Sequence, residues 1–192
     1  MATSNMSRLD AVNQILSATG DEPVSSLTEE SGSDSVAAEL RLDEETRNVQ
    51  IEGWYFNTVK RTFVPNASGN ILIPGTILQV DAPWDTRYTV RSGLLFDLIN
   101  NTSAFSSSVT IGVIEQLSWD DIPPPAKAYI VAIASKKYAD RQLTDPQLSA
   151  ILREDAMYAL IALKRAHLRA GNYSVLGPQE GRVQYLNGQP IL

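Results

Sequence analysis

The sequence predicts an α+β protein: a bundle of about four helices, an antiparallel β lobe inserted between the second and third, and an extended C-terminal tail. Two observations predict it. Apolar residues recur at helical spacing near both ends of the chain, whereas the middle third switches to short runs of aromatic and β-branched residues punctuated by Pro, Gly, Asn and Ser. The expected units are residues 1–53 with 118–171 for the bundle, 54–117 for the lobe and 172–192 for the tail. A chain of 192 residues with 43% hydrophobic content is long enough to bury a core of this kind.

The first helix is expected from about Leu9 to Thr19, where Leu9, Val12, Ile15 and Leu16 share a face. Ser7 and Asp10 are spaced as a capping pair, and Gly20 marks the stop. After the turn at Asp21-Glu22-Pro23-Val24 and the polar, acidic stretch Ser25–Ser35, a second helix is expected from about Asp34 to Glu52. Its stripe reads Val36, Leu40, Arg47 and Ile51, and Gly53 is placed to end it.

Strands are expected at Trp54–Val59, Ile71–Ile73, Ile77–Val80, Arg87–Val90, Leu94–Ile99 and Val109–Leu117. Arg91-Ser92-Gly93 reads as a tight hairpin loop, since glycine accepts the positive φ of a strand reversal. Helix returns after Trp119-Asp120-Asp121-Ile122-Pro123-Pro124-Pro125, with the two aspartates as capping acids. This third helix runs to about Arg141 on a face of Ala126, Ile130, Ile133, Ala134 and Tyr138. Thr144-Asp145-Pro146 caps a fourth helix that continues to about Ala170, roughly 37 Å long at the α-helical rise. Its stripe of Leu148, Ile151, Leu152, Ala156, Ala159, Leu160 and Leu163 is wide enough to pack against two neighbours. The tail keeps Tyr173, Val175, Leu176, Val183, Tyr185, Leu186, Ile191 and Leu192 among Gly, Asn, Gln and Pro. That is too apolar for an ordinary solvated tail, so it either docks on a partner or packs back on its own domain.

Composition narrows the chemistry. Cysteine is absent, which removes disulfides, thiolate nucleophiles and sulfur-ligated metals. The net charge of −6 disfavours non-specific grip on phosphates, although it suits a surface that DNA passes without sticking. No run reaches the roughly 20 apolar residues of a membrane span, and the first residues lack a secretory pattern, so a soluble product of a cytoplasm is expected. The single His167 has Leu163 and Gly171 as its i±4 neighbours, neither of which shares a metal or a proton, and so reads as structural.

No phosphate-cradling glycine loop, dinucleotide turn, calcium loop or nucleophile elbow occurs. No catalytic, cofactor-binding or metal-binding residue is therefore assigned. The paired carboxylates at Glu29-Glu30, Asp43-Glu44-Glu45 and Asp120-Asp121 leave a glycan-hydrolysing tail protein as the alternative, with Trp54, Tyr55, Trp84 and Trp119 as its sugar platform; adjacency alone does not place two carboxyls across a sugar. Lys136, Lys137 and Arg141, and then Lys164, Arg165 and Arg169, form small basic faces that are either solvated or paired with a neighbouring acidic surface.

Several segments together carry a resemblance. Ala11-Val12-Asn13-Gln14-Ile15-Leu16, Gly20-Asp21-Glu22-Pro23-Val24 with Leu27, and Gly53-Trp54-Tyr55-Phe56-Asn57 are followed, in order, by Leu72-Ile73-Pro74, Tyr88-Thr89-Val90-Arg91 with Gly93 and Asp97, Trp119-Asp120-Asp121-Ile122-Pro123, and Ala134-Ser135-Lys136-Lys137 with Arg141. The chain resembles the tail tubular protein A family of short-tailed bacteriophages, the gatekeepers or head-to-tail adaptors, over nearly its whole length and weakening after Leu176. The resemblance implies a structural, non-enzymatic subunit of a dodecameric ring in the virion tail, made in the host cytoplasm. Its implied partners are further copies of itself, the portal protein, the tail nozzle protein (tail tubular protein B), the tail fibre protein and double-stranded DNA in passage. Trp54, Phe56, Tyr173, Leu176 and Tyr185 are the candidate partner-binding anchors, because large apolar and aromatic side chains carry most interface energy.

Overall fold

The computed structural model describes residues 6–28, 32–80, 87–143 and 145–171, together with the backbone of 185–186 and 189–190. It is an α+β fold. Its helices are α1 (Arg8–Ser17), α2 (Ser33–Ile51), α3 (Pro124–Gln142) and α4 (Pro146–Ala170); its strands are β1 (Thr58–Phe63), β2 (Ile77–Val80), β3 (Tyr88–Arg91), β4 (Leu94–Asp97), β5 (Val109–Glu115), β6 (Tyr185–Leu186) and β7 (Gln189–Pro190).

Local chemistry explains where α1 and α4 begin. The Ser7 hydroxyl accepts the Asp10 N–H at 3.1 Å while the Asp10 carboxylate accepts the Ser7 N–H at 3.1 Å, a reciprocal cap that uses two otherwise orphaned donors. One turn on, Ala11, Val12, Ile15 and Leu16 enter the core. Asn13 then fixes the return of the chain, its amide exchanging two hydrogen bonds with the backbone of Val24 at 2.8 and 3.0 Å. At α4, Asp145 accepts the N–H groups of Gln147 and Leu148, and Pro146 sits where its missing donor costs nothing. Thr144 and Glu29-Glu30 lie outside the described residues.

Two helices turn differently from the sequence expectation. On α2 the stripe of Val36, Leu40 and Ile51 points away from the core, at 42, 65 and 42% exposure. The inward face is instead Ser35, Ala38, Arg41, Leu42, Glu45, Thr46, Val49 and Gln50. The helix carries two apolar stripes, and packing against α1 and α3 buries the one that holds Ala38, Leu42 and Val49. On α4 the expected burial against two neighbours is not found: the helix packs on α3, burying Ala156 and Leu163 and half-burying Leu148, Leu152, Ala159 and Leu160, while Ile151 stays 59% exposed. The aspartates before α3 do not cap it either. Asp120 and Asp121 belong to a 3-10 turn at Trp119–Asp121, and the N-cap of α3 is Pro123, which has no side-chain acceptor to offer.

The β region centres on β5, which pairs antiparallel with β1 on one side and β2 on the other. β3 and β4 form a separate hairpin whose loop residues, Ser92 and Gly93, both take positive φ (52° and 75°), as a two-residue reversal requires. Beyond this hairpin Asp97, 2% exposed, organises the following turn. Its carboxylate accepts the N–H of Asn100 at 3.0 Å and of Ile99 at 2.9 Å, and bonds the Asn100 amide and the Arg87 guanidinium at 2.9 Å each. These donors, led by the Asn100 backbone, hold its pKa at about 2. The expected strand at Ile71–Ile73 reduces to a bridge between Leu72 and Leu94, flanked by backbone bonds that bury Ile71 and Ile73 and leave Leu72 outside. The strand expected from Trp54 begins only at Thr58, and the one from Val109 ends at Glu115.

Buried apolar side chains form two clusters. One joins α1, α2, α3 and α4 through residues such as Val12, Ile15, Leu42, Ile130 and Leu163; the other joins the strands through Ile71, Leu95, Ile111 and Val113. Of the expected extended tail at 172–192, only the antiparallel pairing of β6 with β7 falls among the described residues. No described helix is long and apolar enough to cross a membrane.

Candidate functional site

The segment Gly53–Asn57 joins the helical cluster to the strands, and its geometry follows from one glycine and one amide. Gly53 has φ +74°, a conformation that side-chain-bearing residues rarely adopt, and a Cβ placed there would meet Ile114 Cδ1 at 2.8 Å, so a larger residue would strain the turn and displace the Ile114 side chain. Asn57 is fully buried. Its Oδ1 accepts the Trp54 N–H at 2.8 Å, and its Nδ2 donates to the carbonyls of Gln50 at 2.8 Å and Glu115 at 3.0 Å. Gln50, also fully buried, accepts the Leu117 N–H at 2.7 Å and donates to the Leu117 carbonyl at 3.3 Å. Two side-chain amides therefore bind the end of α2 to the end of β5 where water cannot compete. Sequence reasoning missed both; the one signal was a lone amide closing an aromatic run behind a glycine.

The anchor candidates divide. Trp54 is 9% exposed in the helical cluster, and its indole N–H donates to the Val49 carbonyl at 2.7 Å. Phe56 is half-buried against the same cluster, edge-on to Tyr55 with ring centres 5.3 Å apart. Tyr173 and Leu176 lie outside the described residues. So does the side chain of Tyr185, although its backbone pairs with Pro190.

His167 has a structural contact: its Nδ1 accepts the Tyr55 N–H at 3.1 Å, and its ring stands edge-on to Trp54 at 5.6 Å. Burial lowers its pKa below the usual 6.5, which keeps Nδ1 free to accept.

Above Trp54, α2, α3 and α4 enclose an open groove of about 400 Å³ whose lining includes Glu45, Glu52, Tyr129, Ile133, Lys137 and Leu160. Carboxylates beside aromatic residues invite comparison with a sugar-cleaving cleft. The ion pairs argue otherwise. Lys137 holds both oxygens of Glu45, at 2.8 and 2.7 Å, and Arg41 stands 3.9 Å away, so this carboxylate is charge-compensated within the chain. The adjacent acids in sequence are engaged outside this groove, Asp43 by Arg8 and Glu44 by Arg41, whereas Glu52, which lines it, forms no ion pair among the described residues. Asp121 accepts the Ser118 hydroxyl. Trp119 is 8% exposed and donates to the Met6 carbonyl at 3.0 Å, and Trp54 shows the groove only 9% of its surface; Tyr55 is more open at 36%, and Trp84 lies outside the described residues. No group of three or more potential metal-ligating side chains occurs among the described residues.

Charge burial elsewhere has a packing role. Lys127 is fully buried, its amine 3.3 Å from the Met6 carbonyl and 5.2 Å from the Trp119 ring centre, and desolvation lowers its pKa. Of the two basic faces, two members of the first are taken up within the chain, Lys136 by Asp140 and Lys137 by Glu45, while Arg141 lines the groove between α2 and α3. The second, at Lys164, Arg165 and Arg169, forms no ion pair among the described residues and lies beside exposed Tyr158 and Leu168.

What the fold displays, then, is surface: an amphipathic groove and two helices with apolar stripes turned outward. Comparison with known proteins agrees with that character. A family model described as Tail tubular protein matches residues 9–173, from the start of α1 to just past α4. Tail tubular protein A of Klebsiella phage KP34 is 30% identical over 171 residues, covering 88% of this chain and 91% of that protein.

Proposed function

We propose that this chain, which belongs to the tail tubular protein family and is a structural component of a bacteriophage tail, is one subunit of an adaptor ring between the portal and the tail nozzle. In this reading twelve copies close around the tail axis, the ring forms part of the conduit through which double-stranded DNA leaves the capsid, and its outer surface seats the tail fibres. The protein catalyses no reaction. Copies, portal and nozzle bind through apolar and aromatic anchors, with Trp54, Phe56, Tyr173, Leu176 and Tyr185 as the candidate contacts.

The observation that carries the reading is the outward apolar stripe on each of α2 and α4. Leu40, Ile151, Met157, Tyr158 and Leu168 are each more than half exposed, although the same helices also bury a core-facing side. Large apolar surface beyond what a monomer needs marks association sites. The net charge of −6 suits a passage that does not hold DNA.

The test is the mass of the purified protein by light scattering, alone and mixed with the portal of the same phage. A closed multimer in either sample supports the proposal. A monomer that ignores the portal in both contradicts it.

A further inference from the structure

Two consecutive backbone donors in the turn after Gly53 are taken by side chains of different chemistry. The Trp54 N–H goes to Asn57 Oδ1 at 2.8 Å, and the Tyr55 N–H goes to His167 Nδ1 at 3.1 Å. An amide keeps its acceptor at every pH. An imidazole accepts at Nδ1 only while it is neutral with its proton on Nε2, because the imidazolium carries a proton on both nitrogens. The first acceptor is local, three residues along the chain, whereas the second arrives from 112 residues away, near the end of α4.

His167 stands where α4 has little else to hold it. The helix packs chiefly on α3, its last core side chain is Leu163, and no residue of 164–170 is buried. The imidazole reaches the turn through the Tyr55 N–H and through its edge-on contact with Trp54, ring centres 5.6 Å apart, with the Tyr55 ring tilted toward it at 6.2 Å. The titratable groups around it are Tyr55 of the turn and, lining the groove above Trp54, Glu52 from the C-cap of α2, Tyr129 of α3 and Lys164 of α4; Arg165 and Arg169 flank it on α4 itself. None of them supports a charged ring. Burial is the one cause of its lowered pKa, with no carboxylate acting to raise it.

We infer that His167 is an acid-released clasp: protonating its imidazole frees the last turns of α4 from the turn at Trp54 and Tyr55, while Asn57 keeps that turn closed. The imidazolium converts the Nδ1 acceptor into a donor aimed at the Tyr55 N–H, so the bond is lost and two donors face each other where burial also keeps water from the new charge. The clasp is shut above 6.5, the ordinary imidazole pKa, and opens as pH falls through the lower value of the closed form. Because α4 ends at Ala170, the clasp also fixes the point at which residues 172–192, with Tyr173, Leu176 and Tyr185, join the fold. It operates within a single chain, whether or not copies assemble.

Hydrogen exchange of the full chain, read by mass spectrometry from above to well below pH 6.5 and corrected for intrinsic exchange rates, tests the clasp. The peptide over 164–171 is expected to lose its protection on acidification, while peptides over α1 and β1 keep theirs. In His167→Gln, whose side-chain oxygen accepts the Tyr55 N–H without titrating, protection of 164–171 no longer depends on pH. In His167→Phe, which keeps an aromatic ring but has no acceptor, the same peptide exchanges at every pH as the unsubstituted chain does in acid. Exchange of 164–171 that is independent of pH in the unsubstituted chain, or an equal response to acid in His167→Gln, would overturn the clasp. Loss of protection in 164–171 and β1 together would overturn it too, because acid would then be opening the whole junction and not one of its two bonds.

Discussion

Replacing Asn57 with alanine removes three hydrogen bonds at the junction of the helical cluster and the strands. The side chain is fully buried and makes three hydrogen bonds of 2.8, 2.8 and 3.0 Å, so the substitution strands the Trp54 N–H and leaves the Gln50 and Glu115 carbonyls short of a partner. At about 1 kcal/mol net per bond, the loss is about 3 kcal/mol. For a chain of this size that lowers the melting temperature by about 6–12 °C, at about 2–4 °C per kcal/mol. Urea unfolding followed by tryptophan fluorescence is a suitable assay, because Trp54 lies directly at the latch. Asn57→Asp separates hydrogen bonding from packing. It keeps the volume and the acceptor for Trp54, but turns the donor toward Gln50 and Glu115 into a second acceptor, so it is expected to cost at least as much as alanine. A loss below about 1 kcal/mol for Asn57→Ala, or an aspartate variant more stable than the alanine one, would refute the latch.

Three further outcomes follow from the same geometry. Because burial lowers the His167 pKa, its imidazole is expected to titrate below 6.5 by NMR, and stability rises with pH between the folded value and about 6.5 and is lost on acidification through that window; a titration at or above 6.5 would contradict the Tyr55 contact. Asp97, held at about 2, stabilises the turn after β4 above the ordinary carboxylate pKa of 3.8 and loses that contribution as pH falls toward 2, so protection of the Ile99 and Asn100 amides from exchange should collapse in that range and not near neutrality. Leu163→Ala, at a fully buried site, is expected to destabilise by about 2–5 kcal/mol, whereas Ile151→Ala on the exposed side of the same helix should change stability by less than about 0.5 kcal/mol. Equal effects in chemical denaturation would mean that α4 is not packed on one side only.

The parts of the fold legible in the sequence were those set by short-range chemistry. Ser7 with Asp10, Asp145 with Pro146, and Ser92 with Gly93 each act within three residues, so the ends of α1, α4 and the β3–β4 loop could be read off directly. The facing of α2 could not. Val36, Leu40 and Ile51 make one helical stripe, and Ala38, Leu42 and Val49 make another; periodicity finds both, and only α1 and α3 decide which turns inward. Trp54-Tyr55-Phe56 reads as a strand by composition, yet the positive φ of Gly53 and the buried Asn57 amide fold it into a turn. Lys127 carries no sign in the sequence of a buried amine, since its site is assembled from Met6 and Trp119 more than a hundred positions apart. Among the anchor candidates, Trp54 and Phe56 are placed by the helical cluster, and an aromatic residue in a sequence does not state whether its surroundings come from its own chain or another.

The central claim is that copies of this chain form a ring on the tail axis. Electron imaging of the purified protein bound to portal rings tests it most directly. The account predicts end-on averages with a closed ring of repeated subunits around an open axial channel, seated on one face of the portal. Portal rings with bare faces, or with single copies attached at scattered positions, would contradict it.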